Sequence, residues 1–544
     1  MDVNVAPITV FVGPNNSGKS RILIEIENYC RHTHGQPTDL IAENVEFTPY
    51  TRQEIEAELV RIEQTPNPGE MMNPGHIIIG KVNPQDNQAF RAQVHKESII
   101  NEAQNPDTQQ GYYSTFLSMY TVRLDGTNRL NLLNEQAAGD LQTTPINHLA
   151  HLFINNELRK RVRDIVYEAF RRYFVIDPTN IGTLRVRLSD KEPASEREEK
   201  GWENEAINFQ KAAVDIRNAS DGVRAFTGII TTILAGDPKI TLVDEPEAFL
   251  HPALSNKLGK AIASSLRRTK KRLFVSTHSA SFLMGCIQAG APLNIVRLTY
   301  NYASPTARLL PKDKILRLMR HPLLRSTGVL EGLFYESVIV TESDSDRAFY
   351  QEINERLLAQ NDERGIPSCL FINAQNKQTV WEIVKPLREL GIPAAGIVDI
   401  DVLKEGGQVW SKPLEGAFVP AISHQSFHNQ RQAILKALQQ TGKDMKRDGG
   451  KDLLNGSDKE ACENLLSQLR DYGVFVVPNG EAESWLRNLG ATDHGSKWLI
   501  NIFEKMGEDP DDPNYVQPTK GDVWDFLGRV KEWIAEPARK GVPT

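Results

Sequence analysis

The stretch "GIVDIDVL", residues 396–403, ends an apolar run in two aspartates, Asp399 and Asp401, spaced two apart. On a β-strand that spacing sends both carboxylates to one face, where like charges repel unless a cation or a proton lies between them. The pattern of an apolar run ending in acids occurs twice more. "SVIVTESDSD" delivers Glu342, with Asp344 and Asp346 just beyond, and "VFVVPNGEAESWL" delivers Glu481 and Glu483. Ligands of open α/β sheets gather at the carboxyl ends of strands, so three strand ends supply acids to one place. Hard oxygen donors in that number suit Mg²⁺ or Mn²⁺ rather than zinc. Two such ions can activate a water and steady the leaving oxygen of a phosphodiester, which is nuclease chemistry.

A second constellation opens the chain. Gly13-Pro14-Asn15-Asn16-Ser17-Gly18-Lys19-Ser20 fits G-x-x-x-x-G-K-[ST] between a strand-like "ITVFV" and a helix-like "SGKSRILIEIENYC". Such a loop closes backbone N–H groups on phosphate oxygens, its lysine reaches the β and γ phosphates, and its last hydroxyl serves Mg²⁺. Far downstream, "ITLVDEPE" carries Asp244 and Glu245 to the end of a buried strand. There Asp244 can hold the water shell of Mg²⁺ and Glu245 can polarise the attacking water. "LFVSTHS" then puts His278 at another strand end, suited to a γ-phosphate.

These residues need two sheets to hold them. Strands at 8–13, within "KITLVDEPEAFLHP" and within "RLFVSTHSA" belong to a first domain over residues 1–320, with an inserted lobe and helical arm over about 36–200. The polar, Pro- and Asn-rich segment from about 36 to 110 reads as an irregular antiparallel lobe, and residues 146–173 as helical with a basic face. Residues 321–335 read as a linker. Beyond it come strand 337–342, helix 344–358, strand 369–373, helix 378–390 and strand 394–401, an alternation that implies a parallel sheet. Residues 402–470 read as a charged helical insertion, followed by strand 474–478 and a helical tail. The fold class expected is therefore α/β: a P-loop ATPase domain, then a Rossmann-like parallel-sheet domain over 336–544.

At 544 residues the chain is too long for one core. Its 63 Lys and Arg against 70 Asp and Glu, net −7, exclude wholesale coating of a polyanion but allow a local basic groove. Cys30, Cys286, Cys369 and Cys462 form no CxxC pair, so neither a disulfide framework nor a zinc ribbon is indicated. No apolar run is long enough to cross a bilayer and no basic-then-apolar leader opens the chain, so a cytoplasmic protein without a membrane partner is expected.

The loop G-x-N-x-x-G-K-S, "DEPEAFLHP" and "STHS" together resemble the ABC-type ATPase heads of the RecF, SMC and OLD (overcoming lysogenization defect) group. In that group a signature loop of one subunit completes the ATP site of another. Ser220-Asp221-Gly222 is the matching segment, which implies at least a homodimer and places Ser220 and Gly222 with Gly13, Asn15, Asn16, Ser17, Gly18, Lys19, Ser20 and Asp244 around ATP. The later acids resemble a TOPRIM domain, and head plus TOPRIM is similar to OLD-family nucleases, a group that includes the Gabija nuclease subunit and retron-associated effectors. The resemblance implies Glu342, Asp346, Asp399, Asp401 and Glu483 as Mg²⁺ or Mn²⁺ ligands, with Glu481 the alternate at the last position. It also implies a lysine that stabilises the pentacovalent phosphate, for which Lys497 is the choice, and Ser343 stands where the family carries glycine.

The function expected on this basis is an ATP-regulated, metal-dependent DNA endonuclease acting in anti-phage defence. A helicase, or a reverse transcriptase with its RNA–DNA product, is a partner the resemblance allows. Two alternatives stay open: an ATP-driven DNA clamp or sensor without nuclease activity, and a nuclease that cuts RNA or tRNA.

Overall fold

A computed structural model describes residues 1–32, 39–106, 116–267, 269–300, 305–320 and 328–543. The chain divides into two compact units, one of Met1–Val12 and Asn16–Leu309, the other including Leu310–Thr544. Among the described residues no helix is long and apolar enough to cross a membrane.

The first unit is built on a six-stranded sheet in the order Thr306–Leu310, Leu293–Thr299, Ile8–Val12, Arg272–Ser276, Ile240–Asp244, Thr121–Leu124. The strand Ile8–Val12 runs parallel to both its neighbours and is buried along its whole length, which explains its unbroken apolar sequence. Pairing of Phe11 and of Asp244 with Ser276 aligns the carboxyl ends of three strands. The helix Lys19–Arg31 follows the P-loop and buries Ile22, Leu23, Ile26, Tyr29 and Cys30 at helical spacing. Its Glu25, fully buried, accepts the N–H groups of Leu40, Ile41 and Ala42, and so ties the incoming lobe to this helix.

The lobe is more regular than its composition suggests. Strands Glu63–Gln64, His76–Val82 and Ala89–His95 form an antiparallel sheet, and helices Arg52–Ile62 and Lys96–Gln104 flank it. Thr51 and Glu54 make a capping box and the His95 ring accepts the Ser98 N–H, so short capped helices stand in segments whose polar residues read as loop. The helical run read over 146–173 is two helices, His148–Ile154 and Asn156–Phe170. They part at Asn155, whose side chain caps the second by accepting the Leu158 N–H, and Tyr173 already opens a strand.

The second unit carries a four-stranded parallel sheet in the order Cys369–Asn373, Ser337–Thr341, Ala394–Val398, Val474–Val476. Helices Asp344–Ala359 and Lys377–Glu389 connect its strands. Phe349, Tyr350, Ile353, Trp498 and Trp524 fill one core against Ile339, Ile397 and Phe475 of the sheet. Gly396 lets the indole of Trp381 approach, since a Cβ there would stand 2.7 Å from its ring. The expected linker 321–335 begins in residues 321–327, which lie outside the described residues. Its remainder is no linker: Val329–Phe334 is a 3₁₀ turn that buries Val329, Leu330, Leu333 and Phe334. The segment 402–470 holds helices Gly407–Gly416, Ala421–Gln440 and Gly456–Arg470, and Ser496–Met506 and Asp522–Ala535 form the tail.

Candidate functional site: a nucleotide cradle and a carboxylate cluster

The P-loop turns on three left-handed residues, Gly13 (φ 144°), Asn16 (φ 59°) and Gly18 (φ 90°). Gly18 is required twice over, because a Cβ there would also lie 2.6 Å from Ile41 Cδ1. Lys19 is 5 % exposed, with its Nζ 3.4 Å from Ser17 Oγ. Burial lowers its pKa to about 8 against the opposing pull of Glu245, Asp244 and Glu247. Ser20 Oγ donates to Asp244 Oδ1 at 2.8 Å, and the Ser276 hydroxyl donates to the same oxygen. The sequence-derived pair of Mg²⁺ groups, Ser20 and Asp244, is thus already in contact.

Glu245 lies at φ 47°, a strained position for a side chain, and keeps its carboxylate 3.5 Å from His278 Nε2. Burial and the nearby Lys19 lower the His278 pKa, which favours the neutral ring. Two residues missed in the sequence hold this turn. Arg129, 1 % exposed, donates to the carbonyls of both Asp244 and Glu245, and Glu247 accepts the His278 N–H at 2.6 Å. Glu247 stands in the quoted "DEPEAFLHP", whereas nothing in the sequence singles out an arginine so far upstream. Ser220 is exposed and caps the helix Asp221–Ala235 without a side-chain hydrogen bond, and Gly222 packs where a Cβ would meet the Phe249 carbonyl at 2.6 Å.

In the second unit the acids from separate strand ends meet. One carboxylate oxygen each from Glu342, Asp399 and Asp401 lie within 4.8 Å of one another, and so do donor atoms of Glu481, Glu483 and His494. The route to the first triad differs from the strand geometry expected. The strand stops at Val398, and Asp399 precedes the 3₁₀ helix Ile400–Lys404. The Ile400 N–H goes to Gly480 O at 2.9 Å rather than to a ladder, so a tight turn and not a pleat brings the two aspartates together. Glu342 Oε1 accepts the Asp399 N–H at 2.9 Å.

Asp346 is held in a capping box with Ser343, 3.1 Å each way, and Ser343 has φ −126°. Extended backbone there needs no glycine, which accounts for the serine. Burial first, then repulsion by a neighbouring carboxylate (Asp399 on Glu342, Asp346 on Asp399), holds Glu342 and Asp399 well above the ordinary carboxylate range, and burial pushes Asp346 up to about 6. Asp401 Oδ1 is buried with no hydrogen-bond partner among the described residues. Raised carboxylates and a buried free oxygen are what hard divalent cations relieve, so the residues present fit Mg²⁺ or Mn²⁺.

Positive charge reaches the cluster from two lysines. Lys446 Nζ lies 2.8 Å from Asp399 Oδ2 and 3.4 Å from Glu481 Oε2, and Lys377 Nζ lies 3.1 Å from Asp401 Oδ2. Lys446 comes from "KDMKRDGGKD", within the segment whose sequence reads as a charged helical insertion. Close packing brings it in: a Cβ on Gly480 would lie 2.0 Å from the Lys446 carbonyl, and the Lys451 N–H donates to Pro478 O at 2.8 Å. Lys497 sits exposed on the first turn of Ser496–Met506 with no side-chain partner among the described residues.

Comparison with known proteins agrees with this division. Residues 121–284 match the AAA domain family whose description cites the AbiEii toxin of type IV TA systems, and residues 333–401 match the TOPRIM domain of overcoming-lysogenization-defect-like proteins. The chain is similar to Old nuclease of Escherichia phage P2, 23 % identical over 265 residues, which is 45 % of this chain and 43 % of that protein. The match therefore spans less than half the length of this curated relative. Solved structures that it resembles include the SMC head domain of Thermotoga maritima (10 % identity, 57 % of this chain, 92 % of that one, TM-score 0.28). Another is the Smc head with an extended coiled coil of Pyrococcus furiosus (11 % identity, 59 % and 94 % covered, TM-score 0.31). The chain carries a P-loop ATPase domain of the AAA type, followed by an OLD-like TOPRIM domain.

Proposed function

We propose that this protein is an ATP-regulated, metal-dependent nuclease that cuts DNA. The observation that carries the reading is the meeting of Glu342, Asp399 and Asp401 within 4.8 Å, beside Glu481 and Glu483, from strand ends far apart in sequence. Its likeness to Old nuclease and the TOPRIM match support it. Glu342, Asp346, Asp399 and Asp401 would hold one divalent ion, and Glu481 and Glu483 would hold a second. Such ions supply the Lewis acidity that activates a water and steadies the leaving oxygen of a phosphodiester. Asp399 is kept in place for this by its own N–H on Glu342 and by Lys446, whose ammonium would offset charge gathering on the phosphate.

Lys19 and the P-loop amides would bind the ATP phosphates, Ser20 and Asp244 would hold the accompanying Mg²⁺, and Glu245 with His278 would orient the hydrolytic water. Ser220 and Gly222 would serve the nucleotide of a second copy, making the working form at least a homodimer. ATP then sets how copies assemble and so gates cutting. A role in anti-phage defence follows the same likeness.

The test is direct. Purified full-length protein is incubated with plasmid, single-stranded DNA and tRNA, with Mg²⁺ or Mn²⁺ and with or without ATP. Metal-dependent DNA cutting that Asp399→Asn abolishes is expected. Cutting undiminished in that variant, or cutting confined to tRNA, overturns the assignment.

A further inference from the structure

We infer that His494 is a ligand of the second divalent ion, forming with Glu481 and Glu483 a mixed nitrogen and oxygen position that takes a first-row transition ion in preference to Mg²⁺. The inference rests on the nuclease reading and adds to it one ligand and an ion preference. His494 Nδ1 lies 2.7 Å from Glu483 Oε1 and 3.6 Å from Glu481 Oε1, and one donor atom from each of the three side chains lies within 4.8 Å of the others. The other triad, Glu342, Asp399 and Asp401, offers oxygen alone.

A plain surface ion pair accounts poorly for what surrounds the ring. Glu481 is 6 % exposed, yet among the described residues its carboxylate meets only two long ion pairs, with Lys446 at 3.4 Å and with His494. A buried carboxylate so thinly satisfied is costly unless a stronger partner enters. The backbone brings the imidazole to it on purpose-built terms: Gly495, at φ 60°, follows His494 and donates its N–H to Glu483 Oε1 at 2.9 Å. That bond fixes the turn through one Glu483 oxygen and leaves the other to an ion. Charge points the same way, since among the described residues the six carboxylates of Glu342, Asp346, Asp399, Asp401, Glu481 and Glu483 pair with two lysines, Lys446 and Lys377. Mg²⁺ keeps to oxygen and sheds water reluctantly, whereas an imidazole beside carboxylates suits the transition ions.

Mn²⁺ is the probe, because a bound nitrogen imprints a modulation on its pulsed electron paramagnetic resonance echo and a carboxylate does not. Full-length protein loaded with Mn²⁺ is expected to show that modulation, to lose it in His494→Gln and to keep it in His278→Gln, the histidine beside the nucleotide cradle. Calorimetry of the His494→Gln protein is expected to show one Mn²⁺ bound about 10-fold or more weakly, with Mg²⁺ binding little changed. Mn²⁺ that binds in an Asp399-dependent way without nitrogen modulation, or modulation unchanged in His494→Gln, overturns the inference and leaves the nuclease reading standing. Absence of any Asp399-dependent Mn²⁺ binding overturns both.

Discussion

The two chemical centres of this chain are built from opposite materials. The nucleotide cradle is shaped by backbone: left-handed turns at Gly13, Asn16 and Gly18 bend the loop, and its acid, Asp244, already accepts from Ser20 and Ser276. The TOPRIM cluster is made by side chains, buried acids left with raised pKa values and with Asp401 Oδ1 unpartnered. A cradle whose magnesium acid is already paired binds by adding a ligand to a largely finished surface. A cluster whose charges are unsettled is completed by its ion, and its stability and its chemistry are tied to that ion.

Breaking the cluster should have the largest effect. Asp399→Asn removes a carboxylate at the centre and should lower DNA cutting on the order of 10³-fold, while ATP binding stays as it was. Gel-based cutting assays and nucleotide titration of the same preparation check both halves. In the cradle, Lys19→Ala should weaken ATP about 10- to 100-fold, the worth of charge-assisted phosphate contacts, and leave Mn²⁺ affinity at the TOPRIM acids unaltered. A single variant that damaged both sites equally would erase the contrast.

Lys446→Ala sharpens it. Loss of the ammonium beside Asp399 and Glu481 should cost about 1–3 kcal/mol in metal-free protein, and saturating Mn²⁺ should recover most of that in a denaturant titration. The smallest effect is on pH. Carboxylates whose folded pKa lies above the unfolded value bind more protons when folded, so their contribution is full at low pH and is lost as pH rises. Metal-free protein should therefore lose thermal stability as pH climbs from about 4 through about 6, where Asp346 ionises, into the neutral range where Glu342 and Asp399 follow. Excess Mn²⁺ should flatten or reverse that slope, and Asp399→Asn should shrink it.

The same contrast explains what could be read from sequence. The cradle is one contiguous loop between a buried strand and an amphipathic helix, so its residues carried their own geometry. The acids were legible as strand-end residues, but their arrangement was not. That the strand ends at Val398 depends on Gly480 taking the Ile400 N–H, a contact with a segment eighty residues away in the chain. Lys446 looked solvated because its run is polar, and only the glycine at 480 permits the approach that buries its role. Arg129, holding the carbonyls of Asp244 and Glu245, and His494, a single histidine in a polar loop, had no local pattern to mark them. In the lobe, capped helices at 52–62 and 96–104 were hidden because nearly half their residues face solvent and read as loop.

The central claim is that separated acids converge on divalent ions in the second unit. Anomalous diffraction from a crystal of the full chain soaked in Mn²⁺ measures this directly. The account predicts one peak against Glu342, Asp399 and Asp401 and another against Glu481, Glu483 and His494. Featureless density there, with Asp399 and Glu481 still paired to Lys446, would contradict it.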